Sequence, residues 1–124
     1  MSPIARVRSM CLELAGAEEK LSHGEPTFFV KKRVFAMFAN NRHGDGYSTV
    51  YVPARAGVQE MLVSEAPETY FRPPYVGVKG WVGVELARVS DEVLRGHLLD
   101  AWKLIALLKS GRGSRAAGTV RPKR

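Results

Sequence analysis

The chain has a single cysteine, Cys11, so an intrachain disulfide is excluded. It also has no run of about 18 consecutive apolar residues, so the sequence predicts no bilayer-spanning helix. The first residues lack the continuous apolar core of a secretory signal. These absences predict a soluble protein in the reducing cytoplasm, with no membrane partner.

Patterns typical of catalytic and metal sites are missing as well. Cys11 falls on the apolar stripe of a predicted helix, where a buried, inert thiol is expected. His23, His43 and His97 are spread over turns and a helix, and no cluster of His and Cys has zinc-ligand spacing. The Gly-Asp-Gly at 44–46 is not followed by the Lys-Ser/Thr of a phosphate-binding loop. We predict a protein that is not an enzyme and that uses no metal or cofactor.

Positive charge is unevenly distributed along a chain of ordinary globular composition, with 45% apolar and 25% charged residues. All twelve acidic residues lie at or before Asp100. The last sixteen residues hold six of the nineteen basic ones, so the rest keeps thirteen positive and twelve negative charges. We predict one folded domain over residues 1–110 and a basic, disordered tail over 111–124.

Helical spacing of apolar residues predicts three helices. Ser2 and Pro3 are suited to begin the first, over residues 3–15. Ser90 is a suitable cap for the longest helix, which ends near Lys109 and has acidic residues in its first turn. A shorter helix is expected over 54–63, although Gly57 weakens it by about 1 kcal/mol relative to alanine.

Five segments rich in aromatic and β-branched residues are typical of strands: 28–30, 34–38, 47–52, 69–71 and 81–86. The element order is therefore α-β-β-β-α-β-β-α. Short connections favour antiparallel pairing, and amphipathic helices need a sheet face to cover. The sequence predicts an α+β sandwich in which helices pack on a mostly antiparallel sheet.

Four short segments also carry a family resemblance: Pro-Thr-Phe-Phe-Val at 26–30, Arg-Val-Phe-Ala at 33–36, Tyr-Phe-Arg-Pro-Pro-Tyr at 70–75 and Gly-Trp-Val-Gly-Val at 80–84. In this order, and with the closing helix, the chain resembles the MmcQ/YjbR family. The resemblance implies a CyaY-like sandwich and DNA binding, by analogy with a double-wing DNA-binding domain. It brings no catalytic residues to this chain. Many members have Gly-Lys where this chain has Lys32-Arg33, which keeps the turn basic.

Two basic features are the candidate DNA contacts. Lys31, Lys32 and Arg33 connect two predicted strands, and the tail adds Arg112, Arg115, Arg121, Lys123 and Arg124. Contacts of such residues with phosphates release condensed counterions. The alternatives are a solvated hairpin whose charges discourage edge-to-edge association, and a tail that only aids solubility. We predict DNA binding that is dominated by phosphate contacts, without base-specific readout.

An aromatic face made of Tyr70, Tyr75 and Trp81 is the second candidate. Trp81 shares its strand face with Gly83 and Glu85, so that face is expected to be partly open. It predicts a non-enzymatic domain that binds a protein or a small ligand, with an incidental basic tail. Ordinary core packing is the alternative for these aromatic residues. The sequence gives no oligomeric state.

Overall fold

The computed structural model describes residues 2–40 and 48–108. These residues form three helices, α1 (Pro3–Leu12), α2 (Val58–Glu65) and α3 (Asp91–Ala106). They also form six strands: β1 (Glu18–Ser22), β2 (Glu25–Val30), β3 (Arg33–Asn40), β4 (Ser48–Val52), β5 (Tyr70–Phe71) and β6 (Val82–Glu85). The predicted α+β class and the succession of elements are confirmed, and the structure adds β1, for which no strand was predicted.

The strands form one antiparallel sheet in the order β1-β2-β3-β4-β6-β5. Because side chains alternate along a strand, each row of paired residues points to one face of the sheet. One row points to the inner face, which the helices cover, and belongs to the core: Phe38, Val50, Val84 and Tyr70. The adjacent row points to the opposite face, which we call the outer face: Thr27, Met37, Tyr51, Gly83 and Phe71.

Helix α3 lies across the middle of the inner face, where it packs mainly on β3. Leu94, Leu98 and Ala101 of α3 are almost completely buried. The side chain of Ser90 accepts a hydrogen bond from the backbone N–H of Val93, which confirms the predicted N-cap. Across 2–40 and 48–108, no helix has both the length and the apolar character that crossing a bilayer requires.

Helix α2 begins later than predicted, at Val58. Gly57 has a φ of +88°, a left-handed conformation that is not compatible with the interior of a right-handed helix. The residues from 54 to 57 therefore form an irregular connection after β4. Arg55 of this connection lines the same crevice as residues of α2 and α3.

Arg6 of α1 is the main polar link between α1 and the start of α3. Its Nε donates to Asp91 Oδ1 at 2.6 Å. Its Nη1 donates to the carbonyl of Leu86 at 2.7 Å, and its Nη2 donates to that of Val89 at 2.6 Å. The guanidinium thus satisfies two backbone carbonyls that are partly removed from water, in addition to a carboxylate.

We expect Arg6→Gln to lower the free energy of unfolding by about 2 kcal/mol, because the shorter amide leaves partly buried acceptors without donors. Urea denaturation followed by circular dichroism measures the change. Arg8→Gln is the matched control, since Arg8 is exposed and pairs only with Glu19 of β1 among the described residues. Equal losses from both variants would contradict the role given to Arg6.

Candidate functional site

The connection between β2 and β3 is a two-residue turn made of Lys31 and Lys32. Val30 and Arg33 pair directly across it. Lys31 has a φ of 52° and Lys32 a φ of 67°. Positive φ at both central positions is the mark of a type I′ turn, which normally selects Asn and Gly. Lysine is strained in this conformation, so the turn holds two cationic side chains at an energetic cost.

Lys31 is tied to the end of α3. Its Nζ donates a hydrogen bond of 2.9 Å to the carbonyl of Ala106. The last carbonyls of a helix have no partner within the helix, and a cation near them is favourable by roughly 0.3–1 kcal/mol. The hairpin tip and the C-terminal end of α3 therefore meet at one place. We call this place the basic corner: Lys31, Lys32, Arg33 and Ala106–Leu108.

The basic corner brings the hairpin tip next to the last residues that the structure describes. The predicted basic tail follows these residues in the sequence. Lys32 and Arg33 are exposed, and no carboxylate of the described segments forms an ion pair with either. The predicted tail contacts lie outside the described residues: Arg112, Arg115, Arg121, Lys123 and Arg124.

The three aromatic residues of the second candidate are not brought together. Tyr70 points to the helix-covered face, where its ring packs edge-on against His97 and its hydroxyl lies 2.7 Å from Nε2. Tyr75 precedes a short 3₁₀ turn and is 91% exposed. Trp81 is half-buried. The expected opening beside Trp81 is also filled, because the ring of Phe71 lies against the Cα of Gly83, where a Cβ would clash.

A cleft on the outer face gives Tyr75 a different neighbourhood. It has a volume of about 690 Å³ and lies between the turn that joins β1 to β2 and the segment before β6. Met37 and Tyr51 are part of its lining. Tyr75 has φ +65° and ψ −65°, and Val76 N–H donates to the carbonyl of Pro74 at 2.7 Å. This is a γ-turn with positive φ, a rare and strained conformation at the edge of the cleft.

The predicted inertness of Cys11 has a clear physical basis. The side chain is fully buried in α1. Burial raises the pKa of the Cys11 thiol to about 12, and the negative charge of Glu19 adds to the shift. The thiol is therefore protonated at neutral pH, whereas a nucleophile needs the thiolate. Within 2–40 and 48–108, no group of three or more His, Cys, Asp and Glu could hold a metal ion. His43 and Asp45 lie outside these ranges.

We expect Lys32→Gly to stabilise the protein. A left-handed residue other than glycine costs about 1–2 kcal/mol, and the greater freedom of glycine in the unfolded chain offsets about 0.5–1 kcal/mol of the gain. The free energy of unfolding, measured in urea, should therefore rise by about 0.5–1 kcal/mol. Arg33→Gly is the control, because the φ of Arg33 is not positive, and it should destabilise. A loss of stability in Lys32→Gly would contradict the turn geometry.

Comparison with known proteins agrees with this architecture. Residues 12–104 match the model of the YjbR family. The fold is similar to the crystal structure of the Deinococcus radiodurans protein DR2400, a protein with the DUF419 domain, with a TM-score of 0.73 and 22% sequence identity over 86% of this chain and 82% of that one. No curated protein matches the sequence. Since the family model covers most of the chain, the protein belongs to the YjbR family.

Proposed function

We propose that the protein binds DNA through phosphate contacts made by the basic corner and the basic tail. The observation that supports this most directly is the hydrogen bond from Lys31 to Ala106, because it holds the hairpin tip against the C-terminal end of α3. The basic tail follows that end in the sequence. The cytoplasmic location predicted from the single cysteine is part of the same proposal.

Two features of the hairpin tip support a role beyond solubility. Lys32 and Arg33 have no partner carboxylate in the described part of the chain, so their charges are available to an anion. The turn also keeps Lys32 in a left-handed conformation that glycine would adopt without strain. Strained residues persist more often at functional sites than elsewhere. A tight turn moreover fixes the backbone, so fewer degrees of freedom are lost when the cations meet phosphates.

The proposed contacts position the protein on DNA without reading its sequence. Lysine and arginine at a hairpin tip reach phosphate oxygens, which carry no sequence information. Such binding is driven largely by counterion release, so the affinity falls as salt is added. We therefore propose a module with low sequence preference.

The test is the salt dependence of DNA affinity for the full chain, measured by fluorescence anisotropy with a labelled duplex. Log K falls with log salt, and each lost phosphate contact makes this slope shallower by about 0.9. The double variant Lys32→Gln/Arg33→Gln should therefore reduce its magnitude by roughly 2. The double variant Lys79→Gln/Arg88→Gln removes the same charge from exposed positions outside the basic corner. It should leave the slope nearly unchanged.

Equal slopes in the two double variants would contradict the proposal, because charge alone and not its position would then govern binding. The chain truncated after Lys109 provides a second comparison. We expect this truncated chain to bind more weakly while keeping a salt-dependent affinity. Complete loss of binding would assign it to the tail and remove the basic corner from the proposal.

A second function, binding of a small ligand, is favoured by the outer-face cleft. Its volume of about 690 Å³ falls within the range of ligand pockets, and the strained Tyr75 stands at its edge. We expect a ligand of this cleft to raise the melting temperature of the wild type and of Lys32→Gln/Arg33→Gln, but not that of Tyr75→Ala. An equal rise in Tyr75→Ala would place the ligand elsewhere.

A further inference from the structure

A crevice separates α2 from α3 on the helix-covered face of the sheet. Helix α3 packs mainly on β3, whereas α2 packs mainly on β5, and this leaves a space of about 150 Å³ between them. The space is lined chiefly by apolar side chains of β4, β6 and the two helices: Val52, Val58, Leu62, Val82, Val84 and Leu104. A space of about 150 Å³ is comparable in size with a cavity that holds benzene.

Three exposed, charged side chains also line the crevice. Arg55 comes from the connection before α2, while Asp100 and Lys103 lie three residues apart on α3 and so on one side of that helix. None of these three forms an ion pair with another residue of the described chain. The two cations and one anion leave the crevice with one uncompensated positive charge.

His97 adds a polar group that is half-buried in the crevice. Burial lowers the pKa of His97, and the nearby carboxylate of Asp100 opposes this shift, so the ring is neutral at pH 7. The Nε2 atom and the hydroxyl of Tyr70 share a hydrogen bond of 2.7 Å. The second ring nitrogen, Nδ1, makes no hydrogen bond within 2–40 and 48–108. His97 therefore adds polarity without adding charge.

We propose that the crevice binds a small organic monocarboxylate, whose apolar body lies on the valine and leucine lining and whose carboxylate meets Arg55 and Lys103. The size of the crevice sets the apolar body at about that of one aromatic ring. The planar guanidinium of Arg55 suits a carboxylate, since it can donate two parallel hydrogen bonds. Asp100 selects against doubly charged anions such as sulfate, because the net charge of the lining compensates a single negative charge.

The crevice and the basic corner use different charged side chains. Arg55 and Lys103 line the crevice between α2 and α3, whereas Lys32 and Arg33 lie at the β2–β3 connection. A phosphodiester chain needs no apolar pocket, and a monocarboxylate with an apolar body needs one. The two activities can therefore be removed independently by substitution.

Benzoate is the probe, and benzamide is its uncharged counterpart of nearly equal shape. The full-length ¹⁵N-labelled protein is titrated with each at pH 7, and amide shifts are followed. We expect saturable shifts at Val58, His97 and Leu104 with a benzoate Kd of about 1 mM or below, a reasonable affinity for a ligand of this size. Benzamide should bind at least tenfold more weakly.

Substitutions then assign the charge. Arg55→Gln/Lys103→Gln should weaken benzoate binding at least tenfold without unfolding, because both side chains are exposed. Lys79→Gln/Arg88→Gln and Lys32→Gln/Arg33→Gln should leave the Kd unchanged. Equal affinity for benzoate and benzamide, shifts centred on the basic corner, or no saturable shift would each overturn the proposal. Benzoate should still shift the crevice amides of Lys32→Gln/Arg33→Gln, although we expect this variant to bind DNA more weakly. Failure of the benzoate proposal and failure of the DNA proposal can therefore be told apart.

Discussion

The packing of α3 on the inner face of the sheet is the interaction on which the rest of the structure depends. Leu94, Leu98 and Ala101 each have at most 1% of their surface exposed, and they cover the central strands. Trp102, on another side of α3, donates its Nε1–H to the carbonyl of Ala15 at 2.9 Å and so links α3 to the segment after α1. Because α3 is fixed along its length, each of its two ends has a defined neighbour, and so does the side that lines the crevice.

Charged groups at both ends of α3 complement the helix dipole. Asp91 and Glu92 occupy the first turn, where the helix dipole favours anions, and Arg6 pairs with Asp91. At the other end, Lys31 supplies a cation to the carbonyl of Ala106. The first contact fixes α1 to the helix, and the second brings the β2–β3 hairpin to the C-terminal end of α3. The basic corner is thus a consequence of how α3 is capped by tertiary contacts.

Local patterns in the sequence predicted what local physics controls. The Ser90 cap, the existence of β6 and the α+β class all follow from spacing and propensity. Strand β1 was not predicted, because Glu-Glu-Lys-Leu-Ser has no β-branched residue and becomes a strand by pairing with β2. The contact of Lys31 with Ala106 joins residues 75 positions apart, which no local pattern reveals. The face that Tyr70 occupies is set by the pairing of the two-residue strand β5 with β6, which the sequence does not show. Tyr70 was therefore grouped wrongly with Tyr75.

The central claim is that the hairpin tip and the end of α3 act as one DNA-binding surface. The most direct measurement is an amide shift map of the full-length ¹⁵N-labelled protein on addition of a short DNA duplex at low salt. The largest shifts in the folded part are predicted at Lys31–Arg33 together with Ala106–Leu108. Shifts that leave both segments unchanged, or that centre on the cleft around Tyr75, would contradict the claim.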